Sequence, residues 1–118
     1  MKIGKVYSNA LFVGILYREE GAIVFEYAKS YLDNPNAYDI SVNLLRKQKR
    51  FDSEYLHPFF SNMLSEGSLR KIQCSKLGID EEDDFMVLLY TTGYDVIGAI
   101  TVQPYDIKDL NEVANEMS

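Results

Sequence analysis

The order of apolar patterns along the 118-residue sequence predicts an α+β fold, with strands first, helices next and a last strand that returns to the sheet. Three observations support this class. β-branched and aromatic residues cluster up to Tyr27, apolar residues recur with helical spacing between Leu56 and Ile79, and a short apolar run spans Val96–Val102. The predicted elements are therefore an N-terminal hairpin, a central strand, helices and a C-terminal strand.

The first 27 residues carry strand patterns separated by turn formers. Ile3–Tyr7 and Leu11–Tyr17 are rich in β-branched and aromatic residues, and Ser8 with Asn9 stands between them. This pattern fits two short strands or one bent strand. After a charged turn that contains a glycine, Ala22–Tyr27 alternates as the second arm of a hairpin.

A connection and a central strand follow. Ser30–Ala37 has turn chemistry throughout, which predicts a connection that opens with a helical turn. Ile40–Leu45 alternates apolar and polar residues over its first five positions, which predicts a half-buried strand. The basic run Arg46–Arg50 comes directly after it.

Two helices come next. Asp52 or Ser53 is the predicted N-cap of the first, and Pro58 fits only its first turn. Its apolar residues fall on one helical face: Leu56, Phe59, Phe60, Met63 and Leu64. After an interruption at Ser65–Ser68, a second helix is predicted up to Gly78 as C-cap glycine, with helical spacing of Leu69, Ile72, Leu77 and Ile79.

A third helix and the last strand complete the pattern. The acidic run Asp80–Asp84 precedes Phe85–Tyr90, and negative charge favours a helix N-terminus. Val96–Val102 is predicted to be a buried strand that ends before Pro104. The remaining tail, Tyr105–Ser118, predicts a short frayed helix.

Composition excludes several classes of protein. Lys and Arg number 12 and Asp and Glu 18, so a net charge of −6 argues against direct binding to nucleic acid or to an anionic membrane surface. There is one cysteine, no signal-peptide pattern and no apolar run of membrane-spanning length. We expect one soluble domain in a reducing cytoplasm.

The residues that could carry chemistry do not form a site in the sequence. His57 is the only histidine and Cys74 the only cysteine, so neither a nucleophile–base–orienter set nor a Cys/His zinc site is indicated. Asp80–Asp84 lacks the spacing and glycine of a calcium loop, and no glycine-rich phosphate loop occurs. We therefore predict no catalytic residue, no cofactor and no metal.

Two features suggest binding to another protein. Four aromatic residues lie within Phe51–Phe60, more than one helix face of a small domain can bury, so one or two could be interface anchors. The run Arg46–Arg50 fits either a solvated loop or a patch complementary to an acidic partner.

The amino-acid sequence of several segments resembles motifs of the HipA N-terminal subdomain family. Ile40–Leu45 followed by Pro58–Gly67 resembles that family's "SLSLP … PFF-x-N-LLPEG" signature. Leu69-Arg70, Leu77–Ile79, Asp84-Phe85 and Gly93–Pro104 then resemble its "LR…LGI…DxFxLL…GxDxxGAVxVxP" run, so that the likeness extends from about Lys2 to Pro104. The resemblance implies a small, curved, mainly antiparallel sheet covered by about three to four helices, with residues 1–104 as the domain and 105–118 as a tail.

The resemblance also implies a function. In HipA-like toxins this subdomain precedes a Ser/Thr kinase domain. We expect that this sequence is too short to include such a kinase domain. The chain is then similar to the free-standing HipS-like proteins of HipBST toxin–antitoxin systems. Its expected role is that of a non-catalytic antitoxin that binds a HipT/HipA-like kinase in trans, with a HipB-like helix-turn-helix protein as a third partner. The alternatives are a structural complement that supports the kinase without inhibiting it, and an independent enzyme.

The expected contact surface is the loop and helix from Phe51 to Glu66. Its candidate apolar anchors are Tyr55, Phe59 and Phe60, although the helical phase of the two phenylalanines also fits the core. The basic run is the expected polar rim. The full set of predicted partner-binding residues is Arg46, Lys47, Lys49, Phe51, Tyr55, Phe59, Phe60 and Glu66.

Overall fold

The computed structural model describes residues 1–92 and 100–117, which form a five-stranded sheet and five helices. The strands are β1 Lys2–Ser8, β2 Leu11–Glu19, β3 Ala22–Tyr27, β4 Arg50–Ser53 and β5 Ile100–Asp106. The helices are α1 Lys29–Leu32, α2 Pro58–Ser61, α3 Gly67–Leu77, α4 Asp84–Thr91 and α5 Asn111–Met117. All neighbouring strands are antiparallel, in the order β4-β3-β2-β1-β5, which confirms the α+β class.

Two tight turns join the first three strands. Asn9 and Ala10 have φ values of 49° and 72°, and Glu20 and Gly21 have values of 48° and 82°. Two-residue turns with both φ values positive match the right-handed twist of antiparallel strands. Ile3–Tyr7 and Leu11–Tyr17 are therefore parts of two strands, not of one bent strand.

Helices cover both faces of the sheet. On one face, Gly4 of β1 lies so close to α4 that an added Cβ would be 3.0 Å from Leu89 Cδ1. On the other face, the ammonium group of Lys5 pairs with the carboxylate of Glu116 in α5 at 2.8 Å. Because successive strand residues point to opposite faces, this places α4 and α5 on opposite sides of β1.

The predicted central strand Ile40–Leu45 is wrong. This segment has only an isolated bridge between Ser41 and Leu44, and the strand that pairs with β3 on the side away from β2 is β4, at the edge of the sheet. The Tyr27 hydroxyl accepts a hydrogen bond from the Ile40 amide at 3.2 Å and donates one to the Leu44 carbonyl. A side chain thus satisfies backbone groups that a neighbouring strand would have paired, and the segment turns.

The first predicted helix is shorter than expected and begins later. α2 is a single turn with His57 as N-cap, whereas Asp52 and Ser53 belong to β4. Asp52 is wrong as a cap because its carboxylate binds the Arg50 guanidinium at 2.6 Å. Pro58 does occupy the first turn, as predicted.

The second and third predicted helices are confirmed, and so is Gly78 as the C-cap of the second. α3 ends at Gly78, which has a φ of 67°, a left-handed conformation that glycine adopts without strain. α4 begins after Asp83, whose carboxylate accepts a hydrogen bond from the Met86 amide at 3.2 Å. On α3, Leu69 and Ile72 are exposed, so its helical spacing of apolar residues does not mark a buried face.

The last strand extends beyond its predicted end. β5 continues through Pro104 to Asp106, because a proline without an amide hydrogen is tolerated on an edge strand. The beginning of the predicted strand, at positions 96–99, lies outside the described residues.

α5 confirms a short helix in the tail, and its Val113 and Met117 are buried. The division of the chain at residue 104 stays a prediction. Within the described residues, no helix has the length and apolar character needed to cross a membrane.

Candidate partner-binding surface

The aromatic residues predicted as anchors divide into core and surface. Phe60 is fully buried, with its ring 5.4 Å from that of Phe25, which fits the core alternative for this residue. Phe51 is half-buried and stacks on Phe25 at 6.3 Å. Both rings pack on the face of the sheet that carries α2. Of the predicted anchors, Tyr55 is 74% exposed and Phe59 is half-buried.

His57 holds the one-turn helix next to these aromatic side chains. Its Nδ1 accepts a hydrogen bond from the Phe59 amide at 3.1 Å, which requires that this nitrogen carry no proton. Burial lowers the pKa of His57 below its ordinary value of 6.5. The neutral imidazole therefore orders the segment that connects exposed Tyr55 to buried Phe60.

Acidification should weaken this cap. Because the pKa of His57 is lowered in the folded chain, its contribution to the free energy of unfolding is present above about pH 6.5 and is lost as pH falls through the folded-state pKa. Protonation should cost about 1 kcal/mol, the usual cost of losing an N-cap. His57→Asn keeps a cap acceptor that does not titrate. Between pH 7.5 and pH 5, urea unfolding should show a larger loss of stability for the parent chain than for this variant, and equal losses would contradict the assignment.

The predicted basic rim is divided in the same way. The guanidinium of Arg46 donates to the carbonyl of Ala37 at 2.5 Å, of Leu32 at 2.8 Å and of Asn34 at 3.1 Å. Its backbone amide donates to the Asp39 carboxylate at 2.5 Å. Arg46 is therefore a clamp for the connection between α1 and β4, and in this structure it is not a free rim charge.

Replacing Arg46 should loosen this connection. Arg46→Ala leaves several carbonyl oxygens without a donor and should lower the free energy of unfolding by about 2–4 kcal/mol. Arg46→Lys should recover less than half of this loss, because an ammonium group cannot reproduce the planar fork of donors. Urea unfolding measures both values. A lysine variant as stable as the parent chain would show that charge alone, not the fork, stabilises the loop.

The remaining basic residues differ in their surroundings. Arg50 binds Asp52 and Glu19, which raises its pKa. Lys47 and Lys49 are exposed and form no ion pair within residues 1–92 and 100–117.

Lys49 comes directly before β4, the strand at the edge of the sheet. It lines a cleft with Tyr17, Glu26 and Met117, next to α5. Phe51, by contrast, pairs with Phe25 on the face that carries α2. The predicted anchors and the predicted rim therefore do not form one continuous patch around Lys49.

Glu66 is exposed at the N-cap position of α3 and accepts no capping hydrogen bond with its side chain. This position leaves its carboxylate available at the end of the α2–α3 connection.

Two exposed apolar residues were missed by the sequence analysis. Tyr38 is 73% exposed and Val42 84% exposed, and both lie in the connection that Arg46 clamps. Val42 was assigned to a strand on the alternation of Ile40–Leu45. The signal that could have placed it at a turn is the following Asn43, a residue that favours turns. No group of His, Cys, Asp and Glu side chains in the described part of the chain has the arrangement of a metal site.

Comparisons with known proteins give the following relatives. A model of the family described as HipA N-terminal domain matches residues 4–103. "Putative kinase Y4mE" of Sinorhizobium fredii is 35% identical over 107 residues, which cover 90% of this chain and 25% of that protein. "Putative kinase Y4dM" of the same organism is 31% identical over 97 residues, which cover 77% of this chain and 24% of that protein.

An "Uncharacterized protein" of Haemophilus influenzae is 30% identical over 103 residues, which cover 87% of this chain and 92% of that protein. Among solved structures, the "N-terminal domain of HipA toxin" superposes with a TM-score of 0.64 and 26% identity, over 92% of this chain and 96% of that one. The chain thus spans about a quarter of the length of the two kinase-named relatives and nearly all of the Haemophilus one.

Proposed function

Because the chain belongs to the HipA N-terminal domain family, we propose that it is a non-catalytic, HipS-like antitoxin. In this proposal it binds a HipT/HipA-like Ser/Thr kinase in trans and neutralises it. The complex would include a HipB-like helix-turn-helix protein and would form in the cytoplasm. Neither nucleic acid nor a membrane is a direct partner in this proposal.

The observation that supports the proposal most strongly is the share of each relative's length that this domain occupies. The same domain makes up about a quarter of two kinase-named proteins and 92% of the Haemophilus relative. A domain that packs beside a kinase within one chain has a surface that fits that kinase. The same domain on a separate chain can bind that kinase surface in trans. Binding in trans carries an entropy cost of association that the one-chain arrangement does not have, and contacts at the interface must offset it.

The chemistry of the described residues supports a binding role. His57 uses its Nδ1 as a cap, and Cys74 is only 3% exposed in α3, so neither is presented as a catalytic group. Tyr55, by contrast, offers an exposed ring, the kind of side chain that most often anchors an interface. The net charge of −6 suits contact with the basic cleft in which a kinase holds ATP.

Binding is tested by mixing the purified chain with a HipA-family kinase encoded beside it. Size-exclusion chromatography should show the two proteins in one peak, and isothermal titration should give a measurable affinity. Separate elution together with no heat of binding would refute the proposal. Binding without any change in kinase activity would contradict neutralisation and favour the structural complement.

A further inference from the structure

Residues 38–44, which we call the Val42 turn, combine an ordered backbone with exposed apolar side chains. Tyr38 is 73% exposed, and Val42, at 84%, is the most exposed large apolar residue described. Leu44, two positions later, is fully buried and anchors the turn to the core. An apolar side chain is thus presented to solvent at a fixed position.

Polar side chains beneath the turn hold its backbone. The Leu44 amide donates to the Ser41 carbonyl at 3.0 Å, and the Ser41 hydroxyl accepts from the Asn43 amide at 3.3 Å. From the core, the Tyr27 hydroxyl bonds the turn at Ile40 and at Leu44. Burial of this hydroxyl raises the pKa of Tyr27 to about 12, so it stays a donor at every physiological pH.

A second set of contacts holds the start of the turn and its exit. The Tyr31 hydroxyl donates to the Tyr38 carbonyl at 2.7 Å, and Asp39 accepts from the Arg46 amide at 2.5 Å. A single exposed valine is common in proteins and needs no special explanation. Val42 differs from such residues because its turn is ordered. Two buried tyrosines and Arg46 hold the backbone of the turn. The rigid turn lowers the entropy cost of placing that side chain in a partner.

Positive charge next to the turn indicates the partner surface. Lys47 lies three residues after Leu44, it is exposed, and it forms no ion pair within residues 1–92 and 100–117. Its charge is opposite in sign to the net charge of the chain, −6, and is available to a partner. The surface complementary to it is an apolar pocket bordered by carboxylates.

We propose that the Val42 turn is a docking element, and that Val42 enters an apolar pocket with an acidic border on the kinase. The inference rests on the proposed function, because the kinase is the occupant to which it commits. It adds a contact outside the segment Phe51–Glu66 and assigns Lys47 as the adjacent electrostatic contact.

Two substitutions and one matched control test the docking element. Val42→Asp places a negative charge against the acidic border, and Val42→Lys removes the apolar contact but keeps the favourable sign. Leu11→Ser removes another exposed apolar side chain, 45% exposed at the first turn of the sheet. Because both positions are exposed, circular dichroism and thermal unfolding should show that all three variants are folded, with nearly unchanged midpoints.

Isothermal titration against the HipA-family kinase gives the decisive values. We expect Val42→Asp to weaken binding at least tenfold, Val42→Lys to weaken it less, and Leu11→Ser to leave it unchanged. Wild-type affinity should also fall as salt concentration rises. Val42→Asp binding as tightly as the parent chain would overturn the docking element while leaving the proposed function intact. No binding by the parent chain would refute the proposed function itself, and with it this inference. A self-association that Val42→Asp abolishes would assign the turn to a second copy and overturn the inference.

Discussion

Gly14→Ala should destabilise the fold by more than about 3 kcal/mol, the largest loss expected from any single methyl group in the sheet. A Cβ at Gly14 in β2 would overlap the Glu26 carbonyl oxygen and lie 3.0 Å from its carbon. These are backbone atoms of the paired strand β3, so the clash is relieved only if the two strands separate. A chain of this length has a total stability of about 6–18 kcal/mol, so a large share of it would be lost.

Gly4→Ala is the matched control for this substitution. Its Cβ would meet Val102 Cγ1 at 2.8 Å and Leu89 Cδ1 at 3.0 Å, which are terminal methyl groups of buried side chains and not backbone atoms. Such methyl groups can shift slightly without breaking the hydrogen bonds between strands, so a smaller loss of about 1–2 kcal/mol is expected. Urea unfolding of both variants measures the difference. Equal losses would show that β2 and β3 do not approach as closely as described.

Phe60→Ala should lower the free energy of unfolding by about 3–5 kcal/mol. The ring is fully buried, 5.4 Å from the ring of Phe25 and 5.2 Å from that of Phe59. Its removal leaves a cavity between the sheet and α2 that these neighbours can fill only in part.

Tyr55→Ala separates core packing from surface exposure in the same segment. Its ring is 74% exposed, so its removal should change stability by less than about 0.5 kcal/mol. Thermal or urea unfolding of the two variants should therefore give very different losses. Similar losses would mean that the assignment of Phe60 to the core and Tyr55 to the surface is wrong.

Rules that depend on near neighbours predicted much of this fold correctly. The hairpin strands, the proline in the first turn of α2, Gly78 at the end of α3 and the acidic start of α4 each follow from a local conformational or electrostatic preference. These preferences act within a few residues, so a sequence pattern can reveal them.

Predictions that depended on distant contacts were less successful. Ile40–Leu45 alternates like a strand, but the hydroxyl of Tyr27, far away in sequence, takes its backbone groups. The sequence pattern groups Arg46 with its basic neighbours, although its guanidinium donates to four backbone carbonyls between Tyr31 and Ala37. Nothing in the local sequence distinguishes a solvated arginine from a clamping one.

The candidate surface shows the same limitation. Burial of Phe60 depends on which side of the one-turn helix α2 meets Phe25, a contact between residues 35 positions apart. Phe51 packs on Phe25 because β4, a strand that the sequence pattern does not predict, pairs with β3. Lys49 lies just before this strand and lines a different cleft, next to α5.

The most direct test of the central claim is the initial rate of ATP-dependent phosphorylation by a HipA-family kinase encoded beside this chain, measured while the purified chain is added. Neutralisation in trans predicts that the rate falls toward zero as the kinase becomes saturated. An equal concentration of unfolded chain or of an unrelated acidic protein serves as control and should leave the rate unchanged. A rate that stays constant or rises at saturating concentrations of the folded chain would contradict the proposed antitoxin function.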